Sequence, residues 1–66
     1  MMMITKGSIL QSVYEPHSLA IALTDQYIDK TSGPDRPWVF DALVLNGTYA
    51  GSKTTTLTVN WLLITE

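Results

Sequence analysis

Cysteine is absent from the chain, which removes disulfides, thiolate metal sites and cysteine nucleophiles together. Histidine occurs once, as His17, so the usual multi-histidine metal centres are excluded as well. Charge is sparse at 15% of residues, and four Lys and Arg against six Asp and Glu leave a formal net charge of -2. That balance excludes a polybasic arm and argues against non-specific DNA binding. Long apolar runs are missing too: Trp61-Leu62-Leu63-Ile64 falls far short of the ~20 residues that span a bilayer. The opening Met1-Met2-Met3-Ile4-Thr5-Lys6-Gly7 lacks a basic region followed by a long apolar stretch, so no secretory leader and no membrane partner are expected. Asn46-Gly47-Thr48 fits a glycosylation acceptor but reads as a turn in a chain that is not secreted.

What is present is apolar. Hydrophobic residues make up 45% of 66 residues and 7.3 kDa, too many for a disordered tail and enough for a single small domain over residues 1–66. A chain of that length buries only about 60% of the surface its unfolded form exposes. Its core alone supplies roughly 3–5 kcal/mol, and with disulfides and zinc excluded, self-association is the remaining common stabilising device. A homo-oligomer is therefore expected.

Breakers cut the chain into short segments. Glu15-Pro16-His17-Ser18 interrupts the first, and Thr31-Ser32-Gly33-Pro34-Asp35-Arg36-Pro37 holds two prolines and a glycine that neither helix nor central strand crosses. Asn46-Gly47 after an apolar run is a hairpin signal, and Ala50-Gly51-Ser52-Lys53 marks one more bend. From Thr54 to Leu63 the chain alternates, with Leu57, Val59, Trp61 and Leu63 on one face and Thr54, Thr56, Thr58 and Asn60 on the other. That period predicts a strand burying the aliphatic face. Trp38 to Leu45 is apolar on both faces except for Asp41, which predicts a strand buried on both sides or packed against a neighbouring subunit. Ile9, Leu10, Val13 and Tyr14 give a first strand, with Gly7 permitting a bend or bulge.

Ser18 to Lys30 has two readings. As a strand it sets Leu19, Ile21, Leu23 and Tyr27 against Ala20, Ala22 and Thr24; as a helix, Ser18 caps it and Leu19, Leu23 and Tyr27 recur every four residues. The strand density around it favours the strand. The expected elements are five strands, at about 4–14, 19–29, 38–45, 48–50 with its flanks, and 54–64, with room for one short helix or turn. So many short strands hide one apolar face only by curling into a small barrel.

At this point the chain resembles a known group. Ile4-Thr5-Lys6-Gly7-Ser8-Ile9 looks like the opening strand of many small SH3-like barrels. Trp38-Val39-Phe40-Asp41-Ala42-Leu43-Val44-Leu45-Asn46-Gly47 is similar to their central strand and turn, and Asn60-Trp61-Leu62-Leu63-Ile64 to their closing strand. Very short barrels of this layout are frequent in bacteriophages, marine cyanophages among them, and some belong to the ring-forming Sm-like group. The resemblance implies an all-β, five-stranded SH3-like or Sm-like barrel that assembles, including into rings. It also implies a place in the host cytoplasm or the virion. The Asp-x-aromatic-Met-Asn and Arg-Gly signatures of RNA-binding Sm proteins have no counterpart, since Arg36 precedes Pro37.

Residues that could carry chemistry are few. His17 and Ser18 are neighbours, and neighbours on a strand point to opposite faces. Asp25 and Asp29 read as solvated aspartates beside a turn rather than a cation pair. Gly47 and Gly51 fit no phosphate-loop pattern. No catalytic residue, metal or cofactor is expected. Tyr14, Arg36, Trp38, Tyr49 and Lys53, with His17, mix flat rings and cations as single-stranded RNA and DNA sites do, while Trp38 and Trp61 equally suit a core. Val39, Leu43 and Leu45 form a candidate interface patch. Thr54, Thr56 and Thr58 form a polar ladder, an edge lacking inward charge and proline that is open to strand addition. The expectation is a non-enzymatic interaction module, with a nucleic-acid-binding ring second and a strand-adding inhibitor of a host protein third.

Overall fold

Residues 3–14, 17–29 and 37–65 are described by a computed structural model of the chain. The alternating segments become strands and the breakers become turns. In order these are β1 (Ile9–Ser12), β2 (Leu19–Ala22), β3 (Tyr27–Ile28), β4 (Trp38–Val44), β5 (Lys53–Leu57), a 3-10 turn (Thr58–Asn60) and β6 (Trp61–Thr65). All pairings are antiparallel. No α-helix occurs among the described residues, and Ser18 to Ile28 resolves as two short strands joined by a bend.

β4 organises the sheet. One of its edges pairs with β5 along Val39 to Leu43, and the other pairs with β2 and, nearer its start, with β3. The backbone bonds alternate as an antiparallel ladder requires. Leu23 N donates to Asp41 O at 2.7 Å and Leu45 N to Leu19 O at 2.7 Å, whereas Val44 N donates to Ser52 O at 2.9 Å. Odd-numbered residues of β4 thus bond towards β2 and even-numbered ones towards β5. β1 sits between β2 and β6, so the sheet runs β5-β4-β2-β1-β6 with β3 beside β4. It curls into a half-barrel, the small-barrel architecture expected. β5 and β6 follow each other in sequence yet are not paired with one another.

The concave side holds the core: Ile4, Leu10, Ala20, Ala22, Phe40, Ala42 and Trp61, with Leu63 packed against them. Alanines on β2 and β4 occupy little depth, which leaves space inside the curl for two large rings. Phe40 and Trp61 fill it edge-to-face, with centroids 6.2 Å apart and planes at 77°, the arrangement that aromatic quadrupoles favour. The larger aliphatics of β2, Leu19 and Ile21, lie half-buried on the convex side.

Four expectations need correction. The strands number six rather than five. Residues 48–50 are turn, the strand expected at 19–29 is split into β2 and β3, and the strand expected at 54–64 is broken by the 3-10 turn. The face of β5 is reversed. Phe40 stands opposite Thr56 and Ala42 opposite Thr54, and cross-strand partners share a face; the threonines therefore point to the concave side and Leu57 to the convex side, 37% exposed. The 3-10 turn has no strand pleat, so it resets the parity and returns Trp61 and Leu63 to the core. Finally, Trp38 is not a core residue but 44% exposed, and the expected Val39, Leu43 and Leu45 patch does not form as such, because Val39 is only 3% exposed. Tyr27 and Leu57 flank Val39 in one cross-strand row and cover it.

Candidate binding cleft

The seam between β5 and β6 opens into a cleft of about 470 Å³ on the concave side. Its floor is apolar, made by Val44 at the end of β4 and Trp61 at the start of β6. Ser12, Ser18 and Thr54 line it as well, together with the exposed Tyr14, Tyr49, Ser52 and Lys53. The indole Nε1 of Trp61 donates to Thr56 Oγ1 at 3.1 Å, which fixes the ring plane across the seam.

Two turns set the cleft tyrosines. After β1, the Tyr14 amide donates to Ser12 Oγ at 3.2 Å, and Ser12 N donates to Ser18 O at 3.0 Å; this turn leaves Tyr14 77% exposed. Between β4 and β5, Gly51 N donates to Val44 O at 2.7 Å and Ser52 N to Tyr49 O at 3.0 Å. Gly51 has φ +87°, a left-handed conformation that glycine adopts without steric cost. The turn so formed holds Tyr49 outward, 64% exposed. Asn46 braces its base, its Oδ1 accepting from Leu19 N at 2.6 Å.

Of the residues expected to contact nucleic acid, Tyr14, Tyr49 and Lys53 line this one cleft. Trp38 does not join them, because it begins β4 and Val44 at the other end of that strand lines the cleft. Arg36 lies outside the described residues. Of the expected interface residues, Thr54 lines the cleft, Thr56 binds the indole, and Thr58 sits half-buried in the 3-10 turn. Leu43 is half-buried on the convex side and Leu45 is exposed beyond the end of β4. His17 is exposed while Ser18 is buried. Asp25 Oδ1 accepts from Lys6 N at 2.7 Å, a local structural role. No group of three or more potential metal ligands gathers among the described residues, and no described helix is long and apolar enough to cross a membrane.

The one charge in the apolar β4 run has a structural use that the run alone did not reveal. Asp41 Oδ1 accepts from Tyr27 Oη at 2.9 Å and from Thr55 Oγ1 at 2.8 Å, so a single carboxylate ties β3 and β5 to β4 on the convex side. The bond to Asp41, more than burial, raises the Tyr27 phenol above its ordinary pKa. Ionising Tyr27 would remove its donor and set two negative groups together.

No protein family matches the chain, nor does any curated protein or solved structure.

Proposed function

We propose that this chain is a non-enzymatic interaction module that acts as a homo-oligomer. The observation that supports it most directly is the open seam, since the outer edges of β5 and β6 are unpaired in the described sheet and frame an apolar-floored cleft. Unpaired strand edges are templates for further chains. Leu62 and Ile64 are exposed on the last strand as well, which adds apolar surface for a neighbour to cover. A phage structural or accessory role fits the resemblance of the three segments to small phage barrels. Light scattering coupled to size exclusion tests the module: the expected mass is a multiple of 7.3 kDa, and a 7.3 kDa species at micromolar concentration overturns it.

A second reading has its own support. Tyr14, Tyr49 and Lys53 all line the cleft, and two exposed rings at its mouth suit stacked bases of a single strand. Titration with single-stranded RNA and DNA at low and physiological salt separates the readings. The module alone gives weak binding that collapses as salt rises. Sub-micromolar binding held at physiological salt and lost in Tyr49→Ala would place nucleic acid first.

A further inference from the structure

The hydrogen-bond parity of the sheet gives the free edge of β5 a definite chemistry. Even-numbered residues of β4 bond towards β5, as Val44 N to Ser52 O shows. With Ala42 opposite Thr54 and Phe40 opposite Thr56, Thr54 and Thr56 spend their backbone groups on β4. Lys53 and Thr55 therefore aim their N–H and C=O groups away from β4, and Leu57 its N–H, while the Leu57 carbonyl starts the 3-10 turn. Thr55 O takes a long 3.5 Å bond from Thr54 Oγ1, and a carbonyl has a second lone pair to offer. The edge carries no proline, and its one charge, Lys53, lies at the strand's end.

We propose that this edge pairs antiparallel with β5 of a second copy, about a two-fold axis at Thr55. The inference rests on the homo-oligomer reading and specifies its interface. The register follows from the parity: only a two-fold centred on Thr55 sets all three outward-bonding residues opposite one another, Thr55 against Thr55, Lys53 against Leu57 and Leu57 against Lys53. Thr55 then exchanges two bonds with Thr55 of the other copy, and at each end Leu57 N donates to Lys53 O of the other copy. Charge agrees with that register. The two lysines sit at opposite ends, about 14 Å apart along the strands at ~3.4 Å per residue, beyond the Debye length of about 8 Å at physiological salt. Each lysine stem lies along the partner's exposed Leu57 instead of meeting a like charge. On the concave side Thr54 faces Thr56 of the other copy, a β-branched pair suited to neighbouring strands. The interface is isologous and closes at two chains, leaving the edge of β6 outside it.

Charge reversal tests the register. Leu57→Lys places a lysine beside Lys53 of the partner at both ends, and the complex should dissociate to half its mass at the same concentration. The double variant Lys53→Glu with Leu57→Lys creates opposite charges in the same two positions and should restore the wild-type mass. Independently, Thr55→Cys in this cysteine-free chain should cross-link with a short bismaleimide to a species of twice 7.3 kDa, whereas Leu62→Cys should not. A wild type that is monomeric overturns the oligomer reading and this interface with it. A wild-type oligomer that is indifferent to Leu57→Lys, or not restored by the double variant, overturns the two-fold pairing alone. If Leu57→Lys fails to fold by circular dichroism, the cross-link decides, and its absence at Thr55→Cys overturns the pairing.

Discussion

Phe40 and Trp61 carry the core at the scale of single residues. Phe40 is fully buried in a core shared with Ile4, Leu10, three alanines and Trp61, and removing its ring forfeits the edge-to-face contact with Trp61 and opens a cavity beside it. Phe40→Ala should therefore cost about 3–5 kcal/mol, as much as a core of this size supplies, and the variant should show no cooperative melting transition. Gly51→Ala has open space around the new methyl, but φ +87° is costly for any side chain by about 1–2 kcal/mol; a lower melting temperature by calorimetry checks this. Tyr27 gives a pH signature. Its phenol pKa is raised in the folded chain by Asp41, so folding holds a proton that the unfolded chain releases. That contribution is complete below the ordinary phenol value of about 10, shrinks as the pH climbs through it and is gone above the raised folded value. Urea unfolding from pH 8 upward should show the decline, and Tyr27→Phe should have a shallower one.

β5 and its 3-10 turn are where the sequence pattern and the structure part company at the scale of elements. The alternation from Thr54 to Leu63 is real, but its two halves belong to different strands with opposite parity. Leu57 stands on the exposed convex edge while Thr56 holds the Trp61 indole. At a concentration that keeps the chain monomeric, Leu57→Asp should thus cost only about 1 kcal/mol, through the cover it removes from Val39. Thr56→Asp sets a charge on the concave side and should destabilise more, by about 2 kcal/mol or beyond. Denaturation followed by tryptophan fluorescence ranks the two, and the reverse order would return β5 to the face that alternation alone predicts. The turns were more legible. Gly7, Gly47 and Gly51 all have positive φ, and each falls at a break in the apolar pattern.

The whole molecule is a curled sheet whose last two strands do not meet. An open seam in so short a chain leaves apolar surface and backbone groups that a neighbour can cover, which links the stability of the fold to assembly. The melting temperature should rise with protein concentration across the micromolar range, as calorimetry or dichroism at several concentrations would show. Leu57→Lys should remove that dependence if β5 edges join the copies. The cleft is a whole-molecule property also. Tyr14 and Lys53 are far apart in sequence and line one cleft only because β1 and β5 flank the same mouth of the curl.

Composition and breakers by themselves determined the class of the fold. Without cysteine or a metal set, and with short apolar runs divided by proline and glycine, a small all-β domain is the arrangement that hides the apolar residues. The places of β1, β2 and β4 followed from local apolar pattern and breakers, while β3 and the 3-10 break between β5 and β6 did not. Which face each strand buries was decided only in the tertiary structure. Ala20, Ala22 and Ala42 turn inward since a tight curl has no room there for the leucines beside them, and Thr54 and Thr56 turn inward since the β4 register places them opposite Ala42 and Phe40. The site was divided in the same way. The residue types at the cleft could be picked from the sequence, but not that Tyr14, Tyr49 and Lys53 would share it while Trp38 stood apart. Register and curvature set those distances, and both are fixed by contacts between strands remote in the chain.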